Sequence, residues 1–520
     1  MMSSSSQSRP SHRRPWSVPR YVVVAMLMLP SALRAQQSPA TAMPLSLADA
    51  LRLATGTSEQ VSIARAGLRR SDGQQLQARS ALMPQLSTGL NWQKMLQNQF
   101  QAIARASNSG SSPGGGDTST ATNPLTKIFA SPYTTTFTLS ATQPVFTGGR
   151  ATANIRAARV GRESAEIGIT SAQAQVQLTV TEAYFDALLA DRLVTIAESS
   201  LVQTERTLRQ VQLTKNVGSA SEFELIRARV TRDNQRPGML QSRTNRDLAY
   251  VRLRQLLNLP PDRAVRLSDD IVEAPALAPT DANAVPITTV NVSAAEVLAV
   301  DPRASVEVAK ALAGADTSVP VRAPVRQALK GVEVAKLQLR ATKSQRYPQV
   351  SVSTTYQRLA YPNDGLPRSL SDFFPNWTAG VGVSFPFFTG GRVRGDELAA
   401  EASVQEAEQR LRLAEEGAAL DARQSIAQLA QAEASWQATV GTAQQATRAY
   451  DIAEVRFREG ISTQLELAET RVQLQQALAN RAKAARDLHV ARIRLQLLRD
   501  LPLSGPSSST SSTSTPGNTP

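Results

Sequence analysis

The chain offers few groups that could do chemistry. None of its 520 residues is a cysteine, which removes disulfides, thiolate metal sites, cysteine nucleophiles and a lipid on an N-terminal cysteine. The two histidines are His12 and His489. His12 lies in a segment expected to be removed. A Ser-His-Asp site or a histidine metal site would therefore rest on His489 alone, inside the helical run Asp487-Leu488-His489-Val490-Ala491, where a packed or solvated ring is expected. Two glycine turns, Thr147-Gly148-Gly149-Arg150 and Thr389-Gly390-Gly391-Arg392, could cradle a phosphate. They lack the Lys-Ser/Thr of a P-loop and a further spaced glycine. No catalytic residue, cofactor or metal is expected. The net charge of +14 invites a nucleic-acid partner. Against that, Lys and Arg interleave with Asp and Glu, and no basic run carries stacking aromatics.

The glycine turns read instead as joints between elements, and they occur twice. Pro144-Val145-Phe146-Thr147-Gly148-Gly149-Arg150 returns 242 residues later as Pro386-Phe387-Phe388-Thr389-Gly390-Gly391-Arg392. The same offset relates Gly218 to Gly460, and Leu259-Pro260 to Leu501-Pro502. Upstream, Pro84-Gln85-Leu86-Ser87 matches Pro348-Gln349-Val350-Ser351 at an offset of 264. The 22 additional residues of the first copy fall around 107–123, a Gly/Ser/Thr stretch that reads as a flexible loop. Two structural repeats are expected, 36–260 and 324–502. A connector at 261–323 joins them, and a disordered Ser/Thr/Pro tail follows at 503–520.

Each repeat opens with a helix, at 45–81 and 324–345, and a proline then marks the change to extended chain. Strands follow at 85–93 and 133–143, and at 349–357 and 377–385. Val350, Val352, Thr354 and Tyr356 share one face, and Trp377, Ala379, Val381, Val383 and Phe385 share another. Such strands suit a membrane barrel, with Tyr361, Phe373, Phe374 and Trp377 forming an aromatic girdle. From the strands alone, a water-soluble sheet remains the other reading. Pro144 and Pro386 are expected to end the sheet pairing, and the glycines to supply backbone angles closed to other residues.

The elements that these joints must position are long helices. No proline occurs from Ala151 to Arg236 or from Val393 to Leu501. Gly149 to Gly218 would extend roughly 100 Å as a helix. Apolar residues keep helical spacing at Val176, Val180, Tyr184 and Leu188, and at Ile426, Leu429, Trp436 and Val440. Thin stripes on helices this long need neighbours. At the far ends Ser221-Glu222-Phe223-Glu224 aligns with Thr463-Gln464-Leu465-Glu466, and both read as capping boxes. The copies differ at Arg227, which is Glu469 in the second, and at Pro237-Gly238, where a kink or short non-helical join is expected in the first copy only.

The N-terminus reads as a secretory signal (1–35): Arg13, Arg14 and Arg20, an apolar run from Tyr21 to Leu29, and a cleavage site after Ala35.

Together the duplicated Pro-x-Phe-Thr-Gly-Gly-Arg turn, the Pro-Gln strand starts, the constant offset and the tips at Val217-Gly218 and Glu459-Gly460 resemble the TolC family of outer-membrane efflux proteins, over roughly residues 45–502. The resemblance implies a mostly α fold with membrane β. Each protomer of a homotrimer would give four strands to a shared 12-stranded barrel and its helices to a periplasmic α-barrel. It implies acidic residues ringing a closed periplasmic aperture, which fall on Glu466 and Glu469, with Glu224 the counterpart in the first repeat. Glu224 and Glu466 could equally serve only as caps. The tips Val217, Gly218, Ser219, Glu459, Gly460 and Ile461 resemble segments that meet a periplasmic adaptor (membrane fusion) protein, which works with an inner-membrane efflux pump or ABC exporter. Arg227 and Glu469 sit at equivalent places on neighbouring tips, and a pair between them would help hold the aperture shut. The function implied is the exit duct of a tripartite efflux pump or type I secretion system, set in outer-membrane lipid. The alternative is a secreted periplasmic helical scaffold or adaptor that never enters a membrane.

Overall fold

A computed structural model describes residues 43–96, 131–271, 312–313, 317–362 and 365–503. The expected signal segment, the loop at 107–123, the tail beyond 503 and most of the connector lie outside the described residues.

Four helices dominate. They are α3 (Arg150–Asn216), α4 (Glu222–Leu256), α6 (Arg392–Arg458) and α7 (Gln464–Leu497), of 67, 35, 67 and 34 residues. At 1.5 Å per residue the longest reach about 100 Å. On α3 the stripe Val176, Val180, Tyr184 and Leu188 is buried; on α6 only Leu429 of the expected four is, the others being half-buried. Shorter helices lie alongside: α1 (Leu47–Thr57) and α2 (Glu59–Ser80) against α3, and α5 (Ala323–Lys343) against both α3 and α6.

Several local expectations need correction. The helix expected at 45–81 is two helices, because Ser58 turns extended (φ −61°, ψ 130°) between them. Ahead of them Met43–Leu45 forms a short strand, β1, paired in parallel with β4 (Val265–Leu267). The helix expected at 324–345 ends at Lys343 and tightens into a 3-10 turn, Ser344–Arg346. No non-helical join occurs at Pro237, since α4 is continuous through it. The carbonyl of Asp233, which loses its N–H partner to the proline, is on an exposed stretch where water can serve it.

Beneath the helices lies a four-stranded antiparallel sheet in the order β2 (Gln85–Lys94), β3 (Tyr133–Phe146), β5 (Gln349–Ala360) and β6 (Phe373–Ser384). Its register sets Leu90 opposite Phe137, Leu139 opposite Tyr356, and Tyr356 opposite Trp377. Strand alternation then sorts the two faces. One carries Leu86, Leu90, Trp92, Phe137, Leu139, Val350, Val352, Tyr356, Trp377, Val381 and Val383. The other carries Ser87, Gly89, Asn91, Thr136, Thr138, Ser140, Ser351, Ser353, Thr355, Thr378, Gly380 and Gly382. Among the described residues the apolar face is bare: Leu86 is 73% exposed, Trp377 76% and Val381 69%.

β3 does not end at Pro144 as expected. It runs on to Phe146, with Pro144 opposite Ser351 and a bulge before Phe146. Its pairing with β2 stops at Thr142, so the missing proline N–H faces an edge. The second copy does end first, as β6 stops at Ser384, before Pro386.

The main core sits around the middle of α3. Tyr184, Phe185 and Leu188 pack there with Leu45, Ala50 and Ala54 from the start of the described chain, and with Leu253, Leu257, Ile271 and Ile493. Tyr184 Oη donates to Leu45 O (3.0 Å) and Asp269 Oδ2 (2.7 Å), and Leu47 N donates to the same carboxylate oxygen (3.0 Å). Burial, and then Asp269, push the Tyr184 phenol far above its ordinary range. It therefore stays protonated and holds β1 and α1 to α3.

A second pin joins the start of α5 to α6 and the end of α7. Arg322, wholly buried, donates to Leu498 O, Ala418 O and Asp421 Oδ2 (2.6 Å), and Ala323 N donates to Arg499 O. Breaking such a buried pair by removing one partner costs about 3–5 kcal/mol.

Candidate functional site

Two zones carry the residues singled out by sequence: the joints between sheet and helices, and the helix tips at the opposite end.

At the joints the geometry repeats. Gly148 and Gly149 have φ of +62° and +90°; Gly390 and Gly391 have +58° and +88°. Gly149 and Gly391 are the N-caps of α3 and α6, and Arg150 N and Arg392 N each donate 3.1 Å to the carbonyl of the threonine three residues before. The surroundings differ. A Cβ on Gly148 would lie 2.7 Å from Ser344 O and 2.8 Å from Tyr347 Cβ, whereas one on Gly390 would meet nothing within 4 Å. Glycine at 148 thus also serves a close chain crossing. Next to the joints Val145, Phe146, Phe385, Phe387 and Phe388 are all exposed, Phe387 at 92%.

At the tips α3 and α6 end alike. Gly218 (φ +82°) and Gly460 (φ +75°) terminate them. Ser219 N donates to Thr214 O (2.9 Å) and Ile461 N to Arg456 O (2.8 Å), the paired carbonyl capture of a Schellman ending. The N-caps that follow are not alike. Ser221 Oγ accepts from Glu224 N and the Glu224 carboxylate accepts from Ser221 N (3.2 Å each), a complete capping box. Thr463 Oγ1 accepts from Glu466 N, but the return bond is missing. The expectation of two capping boxes therefore holds only in the first copy. Glu466 instead pairs with Arg456 at 3.4 Å, a partner on the preceding helix.

Among the described residues neither Arg227 nor Glu469 forms an ion pair. Arg227 turns toward α7, where it lines a cavity with Gln464, Leu467, Ala468 and Arg471. Glu469 is exposed and lies on the opposite side of α7 from that row, about 150° around the helix. Equivalent sequence positions on two parallel hairpins face the same way round the bundle, so they do not face each other.

The tips hold together through small apolar clusters. Leu208, Val211, Leu225 and Ala228 form one; Tyr450, Ala453, Leu467 and Leu474 form the other; Phe457 packs against both. Outside them Val217, Phe223, Ile461 and Leu465 are exposed, Val217 at 82%. Lys215 pairs with Glu222 at 3.3 Å across the first tip.

His489 is in neither zone. Its ring stacks on Phe185 (4.8 Å between centroids), and burial, then Arg492, lower its pKa. The imidazole is neutral at pH 7 and packs as an aromatic plate. Among the described residues no three His, Cys, Asp or Glu side chains gather where they could hold a metal ion. Nor is any described helix long and apolar enough to cross a membrane.

Sequence reasoning missed Arg322, Asp269 and Arg471, whose roles depend on which helices lie side by side. It also missed the largely polar second face of the sheet, which emerges only from the register of all four strands.

A sequence model of outer membrane efflux proteins matches residues 50–259 and 322–499. The chain matches no curated protein. Among solved structures it resembles the outer membrane protein VceC of Vibrio cholerae (19% identity, TM-score 0.60, covering 87% of this chain and 95% of that one). It also resembles the outer membrane channel CmeC of Campylobacter jejuni (14%, 0.64, 87% and 85%). A third likeness is to the open state of the MtrE outer membrane channel of Neisseria gonorrhoeae (15%, 0.63, 88% and 89%). At these identities the likeness is one of fold.

Proposed function

The chain belongs to the outer membrane efflux protein family, whose members are outer-membrane channels and not enzymes, and from that premise we propose how it forms its duct. Three copies close their four-stranded sheets into one 12-stranded barrel. Leu86, Trp92, Trp377, Val381 and their row face lipid, and the Ser/Thr/Gly face lines the lumen. The helices continue the duct into the periplasm. The two halves of the chain, 36–260 and 324–502, are copies of one unit, so that three chains give six similar staves. Residues 1–35 direct export.

One observation carries this reading: among the described residues nothing covers the apolar face of the sheet, and its edges, β2 and β6, are unpaired. A water-soluble scaffold would bury that face against its own core. Lipid covers the face but cannot satisfy bare edges, so the sheet must close on other copies. Trp92 stacked on Tyr133, with Tyr361 and Phe373 at the same end, supports an outer aromatic girdle, whereas Phe374, opposite Leu359, falls on the lumen face. Phe387 and Phe388 support an inner one.

At the periplasmic end the gate is built from Glu224, Arg227, Glu466 and Glu469, with Glu469 free to face the lumen or a neighbouring copy. The exposed tips Val217, Gly218, Ser219, Glu459, Gly460 and Ile461 receive a periplasmic adaptor, which links the duct to an inner-membrane pump or ABC exporter. Extraction of the protein from membranes only by detergent, with heat-modifiable migration on gels, is the expected behaviour. A freely soluble monomer in the periplasmic fraction would favour the scaffold instead.

A further inference from the structure

We propose that the cavity between the two helical tips of one chain binds a monatomic anion of chloride size, held between the guanidinium groups of Arg227 and Arg471. The space open to the centre of a water-sized sphere is about 10 Å³, room for one small occupant. Its polar lining is Thr204, Thr207, Arg227, Thr231, Gln464 and Arg471. No carboxylate is among them.

Arg471 is 5% exposed and has no hydrogen bond or ion pair among the described residues, and its Nε is buried without a partner. A buried charge is costly unless it is paired and hydrogen-bonded. Arg227, which lines the same cavity, also has no ion pair among the described residues. The other lining groups are already committed. The hydroxyls of Thr204, Thr207 and Thr231 donate to Leu201 O, Gln203 O and Arg227 O in their own helices. The Gln464 amide, in the orientation that satisfies both its ends, donates to Glu224 O and accepts from Ala228 N at 3.2 Å each. Two arginine side chains therefore line one small space that has no carboxylate in its lining. A water molecule would fill the space but leave two like charges together. An anion accepts from both and cancels their repulsion.

The internal offset sharpens the point. Across 242 residues, Arg227 corresponds to Glu469 and Arg471 to Arg229. Where the second tip of one chain meets the first tip of the next, a carboxylate is thus built in at the place that an external anion takes within the chain. This contrast rests on the proposed ring of copies; the cavity itself lies within a single chain. The anion then clamps the two tips of a chain, and its loss lets Arg227 and Arg471 push them apart.

The test uses the full-length protein crystallised in sodium bromide, with anomalous diffraction recorded at the bromine edge. A bromide peak within hydrogen-bond reach of both guanidinium groups is expected. In solution, replacing gluconate by chloride at constant ionic strength should raise the wild-type thermal midpoint in a saturating way. Arg227→Glu supplies its own carboxylate and should show no such rise. Arg471→Gln removes the buried charge and should likewise be flat. A cavity that holds only water in bromide, or an Arg227→Glu variant that responds to chloride as the wild type does, would overturn the proposal. A bromide peak in a protein that fails to trimerise would sink the ring and leave the site standing.

Discussion

At the scale of single residues, His489 links packing to pH. An unfolded imidazole takes up its proton near pH 6.5, whereas the stacked ring on Phe185 does so only at lower pH. Between those two values the unfolded chain binds more protons, so stability rises with pH and is lost on acidification. His489→Phe keeps the stack and removes the titration. The wild type should therefore lose more thermal stability than this variant between pH 7 and pH 5; parallel losses would show that His489 contributes nothing to the dependence. What could be read here from sequence was local. The glycines at 148, 149, 218, 390, 391 and 460 and the caps at Ser221 and Thr463 follow from rules that span four residues. Arg322, Asp421 and Arg471 could not be read, because their environments are assembled from segments about 100 or more residues apart. The mismatch of Arg227 and Glu469 has the same origin: sequence alignment equates positions but does not say which side of a helix meets a neighbour.

At the scale of elements, the helices were legible because proline-free runs, Schellman glycines and 3.6-residue stripes agree along some 67 residues. Of the two outcomes expected at Pro237, the non-helical join did not form, since an exposed helix tolerates one lost hydrogen bond. β1 and β4 escaped notice because a three-residue parallel pair has no periodicity to detect. The tips of these helices are held by two clusters of four buried residues each and joined by Phe457. Fully buried phenylalanines cost about 3–5 kcal/mol when cut to alanine; half-buried Phe457 should cost about 2 kcal/mol. Phe457→Ala should loosen the tips without disturbing the barrel. Trimers carrying it should conduct more in planar bilayers and be cut faster by protease near 217–219 and 459–461. Wild-type conductance together with wild-type protease resistance would show that Phe457 does not hold the gate.

At the scale of the whole molecule, the sheet decides whether this chain is a channel wall or a scaffold. Strand alternation was visible in two strands, but only the register showed that all four contribute to one apolar and one polar face. The two faces should respond oppositely to charge. Val381→Arg places a cation toward lipid at a cost of about 2–4 kcal/mol near the bilayer centre, and should reduce assembled trimer in the outer membrane. Ser353→Arg places it in the lumen and should assemble normally while narrowing the pore. Equal assembly of both variants would contradict the assigned faces.

The seam between copies gives the most direct measurement. Within the chain Leu139 pairs with Tyr356 and Ser140 with Thr355. Carried over by the offsets of 242 and 264, those pairs become Val381 against Trp92, and Gly382 against Asn91, of the next copy. Because the chain has no cysteine, the variant Asn91→Cys with Gly382→Cys introduces the only thiols, opposite each other on the lumen face at a separation a disulfide can span. Oxidation in intact outer membranes should convert the double variant into a covalent trimer on non-reducing denaturing gels, while either single variant stays monomeric. A double variant that stays monomeric after oxidation would contradict closure of the barrel between copies in this register.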